Sequence, residues 1–195
     1  MENLYQAPQA ALADEVVAKS RFYVVGQAKF LMLYVATFGL YGIYWFYRHW
    51  AEYRQHSGEK LWPVPRSIFA IFFAHSLFSK FDEAVDQGNW AERYQATPMA
   101  TVFVLSQILQ TVCDRLSANE IGMPFTLLAS LAFLGLICWS LYRAQRVANH
   151  ACGDPLGEGN ASLGVANVIW MILGGLAWLM FAFGLWVILS GAPIE

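Results

Sequence analysis

Ser67-Ile68-Phe69-Ala70-Ile71-Phe72-Phe73-Ala74-His75-Ser76-Leu77-Phe78-Ser79 lies between Arg66 and Lys80 and holds no Asp, Glu, Lys or Arg. A helix needs about 20 apolar residues to cross the hydrocarbon core of a bilayer, so this stretch is too short to span comfortably and too apolar for an ordinary loop. Its reading decides how often the chain crosses a membrane. Four longer stretches are equally free of charge: Phe30 to Tyr47, Tyr94 to Cys113, Ile121 to Tyr142 and Gly159 to Ile194. Each has room for one transmembrane helix.

The expected fold is therefore all-α, a polytopic membrane helix bundle. Four transmembrane helices are expected at about 30–48, 97–115, 124–142 and 166–190, with one amphipathic interfacial or re-entrant helix at about 65–86. A polar N-terminal segment, 1–29, precedes this membrane domain, 30–195, and has room for a short helix after Pro8. With 57% hydrophobic and 13% charged residues, the chain falls well outside the roughly 25% charge typical of soluble domains. A net charge of -2 supplies no basic surface, so nucleic acid is not an expected partner. Met1 to Ala13 lacks the positive and apolar regions of a secretory signal, which leaves the first span as the expected insertion signal. Cys113 and Cys138 fall within expected spans and Cys152 stands in a loop, which is not a disulfide framework.

Within the spans, side-chain periodicity assigns faces. Tyr34, Thr37, Tyr41, Tyr44 and Arg48 recur at helical spacing and predict an inward, hydroxyl-rich face on the first. On the second, Gln107, Gln110, Thr111 and Asp114 form a polar stripe. That stripe is the candidate polar pathway, because polar groups in a membrane turn towards water or partners, and bonding between helices is the plainer alternative. Ala132 and Gly135 on the third, and Gly174, Ala177 and Gly184 on the fourth, predict helix packing through small residues.

The quoted stretch continues a helix that opens at Pro65. Phe72 stands on its apolar side and His75 on its polar side, and together with Arg143 and Arg146 they are the candidate contacts for lipid or a partner protein. His150, Cys152 and Asp154 match no metal-binding spacing, so no metal or cofactor is expected. Orientation follows from the Lys and Arg count. If 67–79 stays at the interface, Arg48, Arg54, Lys60, Arg66, Lys80, Arg93, Arg143 and Arg146 share one side against Lys19, Arg21, Lys29 and Arg115. If it spans, the division becomes Lys19, Arg21, Lys29, Lys80, Arg93, Arg143 and Arg146 against the remaining five, and barely discriminates.

Two stretches carry a resemblance. Asn3-Leu4-Tyr5-Gln6-Ala7-Pro8 resembles an Asn-x-Tyr-x-Ala-Pro lead, with Leu4 where Pro is commonest. Lys29-Phe30, followed by Thr37-Phe38-Gly39-Leu40-Tyr41-Gly42-Ile43-Tyr44-Trp45-Phe46-Tyr47-Arg48-His49-Trp50 and Pro65-Arg66, is the more specific. Together they resemble small bacterial inner-membrane proteins that share a domain of unknown function. The resemblance implies a multi-pass protein of the bacterial cytoplasmic membrane and transfers no active residue.

No nucleophile, phosphate-cradling or metalloprotease signature occurs. The functional expectation is a non-enzymatic membrane protein that binds lipid, a partner protein or a second copy of itself within the bilayer. A transporter or channel component using the Gln107 to Asp114 stripe is the alternative, and a lipid-acting enzyme at His75 a weaker one.

Overall fold

The computed structural model describes residues 21–85 and 95–190. Asn3 to Pro8 and the expected helix after Pro8 lie outside the described residues. Among the described residues seven α-helices follow one another: α1 (Gln27–Ala36), α2 (Tyr41–Ser57), α3 (Pro63–Ile68), α4 (Ala70–Ala84), α5 (Thr97–Ala118), α6 (Phe125–Ala151) and α7 (Val165–Ser190). A short 3-10 turn, Glu158–Asn160, precedes the last. The all-α expectation holds for the described residues.

The first expected span, 30–48, is not one helix. It breaks at residues 37–40, and α2 returns antiparallel along α1. Phe30 meets Tyr41 at 5.9 Å and Trp45 at 6.4 Å, while Phe22 and Tyr23, ahead of α1, meet Tyr53 and Tyr44 at 6.0 and 6.1 Å. Local chemistry makes the break. Phe38 and Gly39 adopt positive φ, 50° and 82°, which reverses the chain. Thr37 donates its hydroxyl to the Leu33 carbonyl at 2.8 Å and accepts the Tyr41 N–H at 3.0 Å, so one side chain closes α1 and opens α2. Hydropathy reports how long an apolar stretch is and not which way it runs, which is why the sequence reading missed the reversal.

The segment 67–79 also turns back. Pro63 and Pro65 start α3, and Phe69 separates it from α4, so the single helix expected at 65–86 is two. Lys80 Nζ donates to Tyr53 Oη at 2.8 Å and lies 3.8 Å from the Glu59 carboxylate, so the chain leaves and re-enters the same end of the molecule.

α5 and α6 form the long hairpin that was expected. Asp82 anchors its start by accepting the Ala96 and Thr97 N–H groups at 2.6 and 2.8 Å. At 22 and 27 residues, the two helices are about 33 and 40 Å long at 1.5 Å per residue. α6 and α7 are both long and apolar enough to cross a membrane. α5 has the length, but Gln107, Gln110 and Asp114 keep it less apolar than those two.

The core is aromatic. Trp45, Phe22, Phe30, Phe46, Phe78 and Phe81 are fully buried, with Phe22 edge-on to Phe81 at 4.8 Å and Phe46 stacked on Phe78 at 6.2 Å. Residues 21–29, expected as part of a polar segment, deliver Phe22 and Val25 into this core instead.

Candidate functional site

A buried polar network holds the irregular segment 21–26 against α6. Gln145 Nε2 donates to the Tyr23 carbonyl at 2.9 Å and to Asn149 Oδ1 at 2.7 Å, and Asn149 Nδ2 donates to the Val25 carbonyl at 2.9 Å. The two amides take the place of a neighbouring strand, since buried backbone groups need partners. Gln145 Oε1 accepts Trp45 Nε1 at 2.5 Å and His49 Nε2 at 3.1 Å. Because that oxygen only accepts, His49 donates from Nε2. Its Nδ1 is buried without a partner among the described residues, and complete burial pushes the His49 pKa down to about 3. His49 is thus neutral at neutral pH.

The same segment seats the loop before α7. Asn160 Nδ2 donates to the Val24 carbonyl at 2.9 Å, and the Gly26 N–H to the Asn160 carbonyl at 3.1 Å. At Gly157, with φ +72°, a Cβ would fall 2.2 Å from the Val25 oxygen, so only glycine fits. Lys29 reaches across to this loop and donates to Asn160 Oδ1 at 2.6 Å and to the Ser162 carbonyl at 2.7 Å. It is 7% exposed and, among the described residues, forms no ion pair. Burial lowers its pKa below the ordinary lysine value.

α7 touches the rest of the molecule mainly through α1. Gly174 lies so close to the Ala36 carbonyl that a Cβ there would overlap its oxygen, and Trp178 Nε1 donates to the Val35 carbonyl at 2.8 Å. Phe38, at the hairpin tip, stacks on Trp178 at 4.0 Å. α7 therefore packs directly on the carbonyl end of α1, where Trp178 adds a second donor to the Val35 carbonyl that already accepts the Phe38 N–H at 3.2 Å.

Between α1, α2 and α7 runs a cleft with two chambers. One, about 430 Å³, is polar and includes Lys29, Arg48, Glu52 and Asn160 in its wall. The other, about 320 Å³, is lined by Leu33, Thr37, Leu40, Tyr41 and Trp170. Tyr44 and Asn167 line both. Arg48 is paired with Glu52 at 2.6 Å and stands 4.9 Å over the Tyr23 ring.

The residues singled out by sequence are placed elsewhere. Gln107 lines a separate cavity with Phe46, Ile71 and Leu141, whereas Thr111 bonds the Gln107 carbonyl at 2.8 Å and Asp114 accepts the Ser130 hydroxyl across the hairpin. Gln110 is half-buried, and the four do not gather around one cavity. His75 faces Thr101 at 3.1 Å, Phe72 is 77% exposed, and Arg143 stands 5.8 Å from the Trp139 ring. Arg146, half-buried, is on the same end of α6. Of the small residues, Gly174 alone makes a close approach. Gly135 and Gly184 have open space where a Cβ would stand, and Ala132 and Ala177 are exposed. Within one chain those four are not the packing face that was expected.

Sequence reasoning did not single out Lys29, Gln145 or Asn160 as site residues. The one available signal was Lys29 itself, which entered there only in the cation count and the resemblance. No family model, no curated protein and no solved structure matches this chain.

Proposed function

We propose that this chain is a multi-pass membrane protein that binds a lipid in the cleft between α1, α2 and α7 and does no chemistry on it. One observation carries the reading: an apolar chamber adjoins a polar one, with Tyr44 and Asn167 in the walls of both, which is the division of polarity of an amphiphile. The polar groups of the cleft are tied to one another, Arg48 to Glu52 and Lys29 to Asn160, and none is arranged as a nucleophile with its base.

Three crossings by α5, α6 and α7 go with this reading, with the α1–α2 and α3–α4 pairs entering part-way from one side. At 10 residues α1 reaches about 15 Å, half of a hydrocarbon core about 30 Å thick. Arg21, Lys29, Arg48, Arg54, Lys60, Arg66, Lys80, Arg143 and Arg146 then share one end, and among the described residues Arg115 alone holds the other. Such a bias places the cation-rich end in the cytoplasm. The resemblance of residues 29–50 favours a bacterial cytoplasmic membrane.

The test is mass spectrometry of the intact protein released from mild detergent. A retained lipid is expected on the wild type and is expected to be lost on Ala166→Trp, which fills the apolar chamber. A wild type that carries no lipid, or a variant that carries as much, overturns the reading.

A further inference from the structure

Resting on that lipid-binding reading, we propose that the ligand is an anionic phospholipid, its phosphate at Lys29 and its acyl chain running towards the tip of the α1–α2 hairpin. The order of residues along the cleft supports this. On α1, Lys29 and Leu33 are four apart and share one face, which Thr37, the residue that caps α1, continues; on α2, Tyr41, Tyr44 and Arg48 do nearly the same. Because the two helices are antiparallel, Arg48 and Lys29 stand at one end of the cleft, Tyr44 in its middle, and Leu33, Thr37 and Tyr41 at its far end. Polarity thus falls from the helix mouth to the hairpin tip, as it falls from headgroup to acyl chain in a bilayer leaflet.

Charge chooses the headgroup. Glu52 neutralises Arg48 at 2.6 Å, whereas Lys29 has only neutral acceptors, Asn160 Oδ1 and the Ser162 carbonyl. The formal charges of Lys29, Arg48 and Glu52 in the wall of the polar chamber sum to +1. An ammonium has three hydrogens and two are used, so one remains for a phosphate oxygen. A buried charge without a counter-ion is costly, and an anion beside it removes much of that cost. Arg48 has unused N–H groups to add a second, charge-assisted contact. A zwitterionic headgroup brings its own cation to a chamber that already holds an excess one.

Titration of the detergent-purified full chain with phosphatidylglycerol and phosphatidylcholine of identical acyl chains tests this. Phosphatidylglycerol is expected to bind about 10-fold more tightly or better, the ratio that one charge-assisted contact supplies. Lys29→Gln is expected to remove that preference and Lys29→Arg to keep most of it. Asn167→Asp, which alters charge without altering shape, is expected to remove it as well and stands in if Lys29→Gln fails to fold. Glycerol phosphate is expected to compete about 100-fold more weakly than the lipid, because it cannot fill the apolar chamber. Equal binding of the two lipids by the wild type, or an unchanged preference in Asn167→Asp, overturns the anionic assignment. If the two lipids bind equally and both are lost on Ala166→Trp, only the headgroup assignment fails; if neither binds saturably, the lipid-binding reading fails with it.

Discussion

At the level of single residues, the most consequential side chains are the ones that replace secondary structure. Gln145 and Asn149 bond the backbone of segment 21–26 as a neighbouring strand would, and Gln145 draws Trp45 and His49 into the same cluster. His49 makes this cluster sensitive to pH. Its ordinary pKa of about 6.5 falls to about 3 in the fold, so above 6.5 it is neutral whether the chain is folded or not and stability is complete. Below 6.5 the unfolded chain takes up a proton that the fold refuses, and stability declines through the window from 6.5 to 3, by at most about 1.4 kcal/mol per pH unit. Melting temperature in detergent is therefore expected to be flat above pH 7 and to fall between pH 6.5 and 5. His49→Gln is expected to flatten that fall, and an equal slope in the variant would show that another group titrates.

Among the elements, the hairpin α1–α2 and its cover α7 depend on close backbone approach. Gly174 sits against the Ala36 carbonyl, while Gly175, its neighbour, meets nothing within 4 Å. Gly174→Ala is expected to push α7 off α1 and lower the melting temperature by several degrees, and Gly175→Ala to leave it unchanged, since a helical Gly→Ala change is otherwise mildly favourable. Equal behaviour of the pair would mean that α7 is not held at this point. The helical character of 97–118, 125–151 and 165–190 was legible in sequence because long apolar runs state their own length. The reversal at Thr37-Phe38-Gly39 was not, although its parts were visible: a hydroxyl able to cap and a glycine able to take positive φ. Those residues also occur inside continuous membrane helices, and only the contact of α2 with Phe30 and Tyr23 separates the two outcomes.

The whole molecule is polarised. With both short pairs turning back, all the Lys and Arg of the described residues except Arg115 gather at the end that holds Lys29, Arg48 and Arg143, and the α5–α6 turn near Asn119 occupies the opposite end. Single cysteines in a background lacking Cys113, Cys138 and Cys152 test the orientation. Glu59→Cys and Glu83→Cys are expected to react with an impermeant thiol reagent from the cytoplasmic face only, and Asn119→Cys from the outer face only. Labelling of positions 59 and 83 from opposite faces would mean that 67–79 crosses the membrane, contrary to the proximity of Lys80 and Glu59.

From composition and uncharged lengths alone follow the all-helical class of the described residues, the two helices long and apolar enough to cross a membrane, and the α5–α6 hairpin, because each depends on local hydropathy and short connections. The reversal of the first apolar stretch, the burial of segment 21–26 and the cleft beside Lys29 were decided by tertiary structure. They arise from contacts between residues far apart in the chain, such as Lys29 with Asn160 and Gln145 with Tyr23, and local patterning carries no record of such pairs.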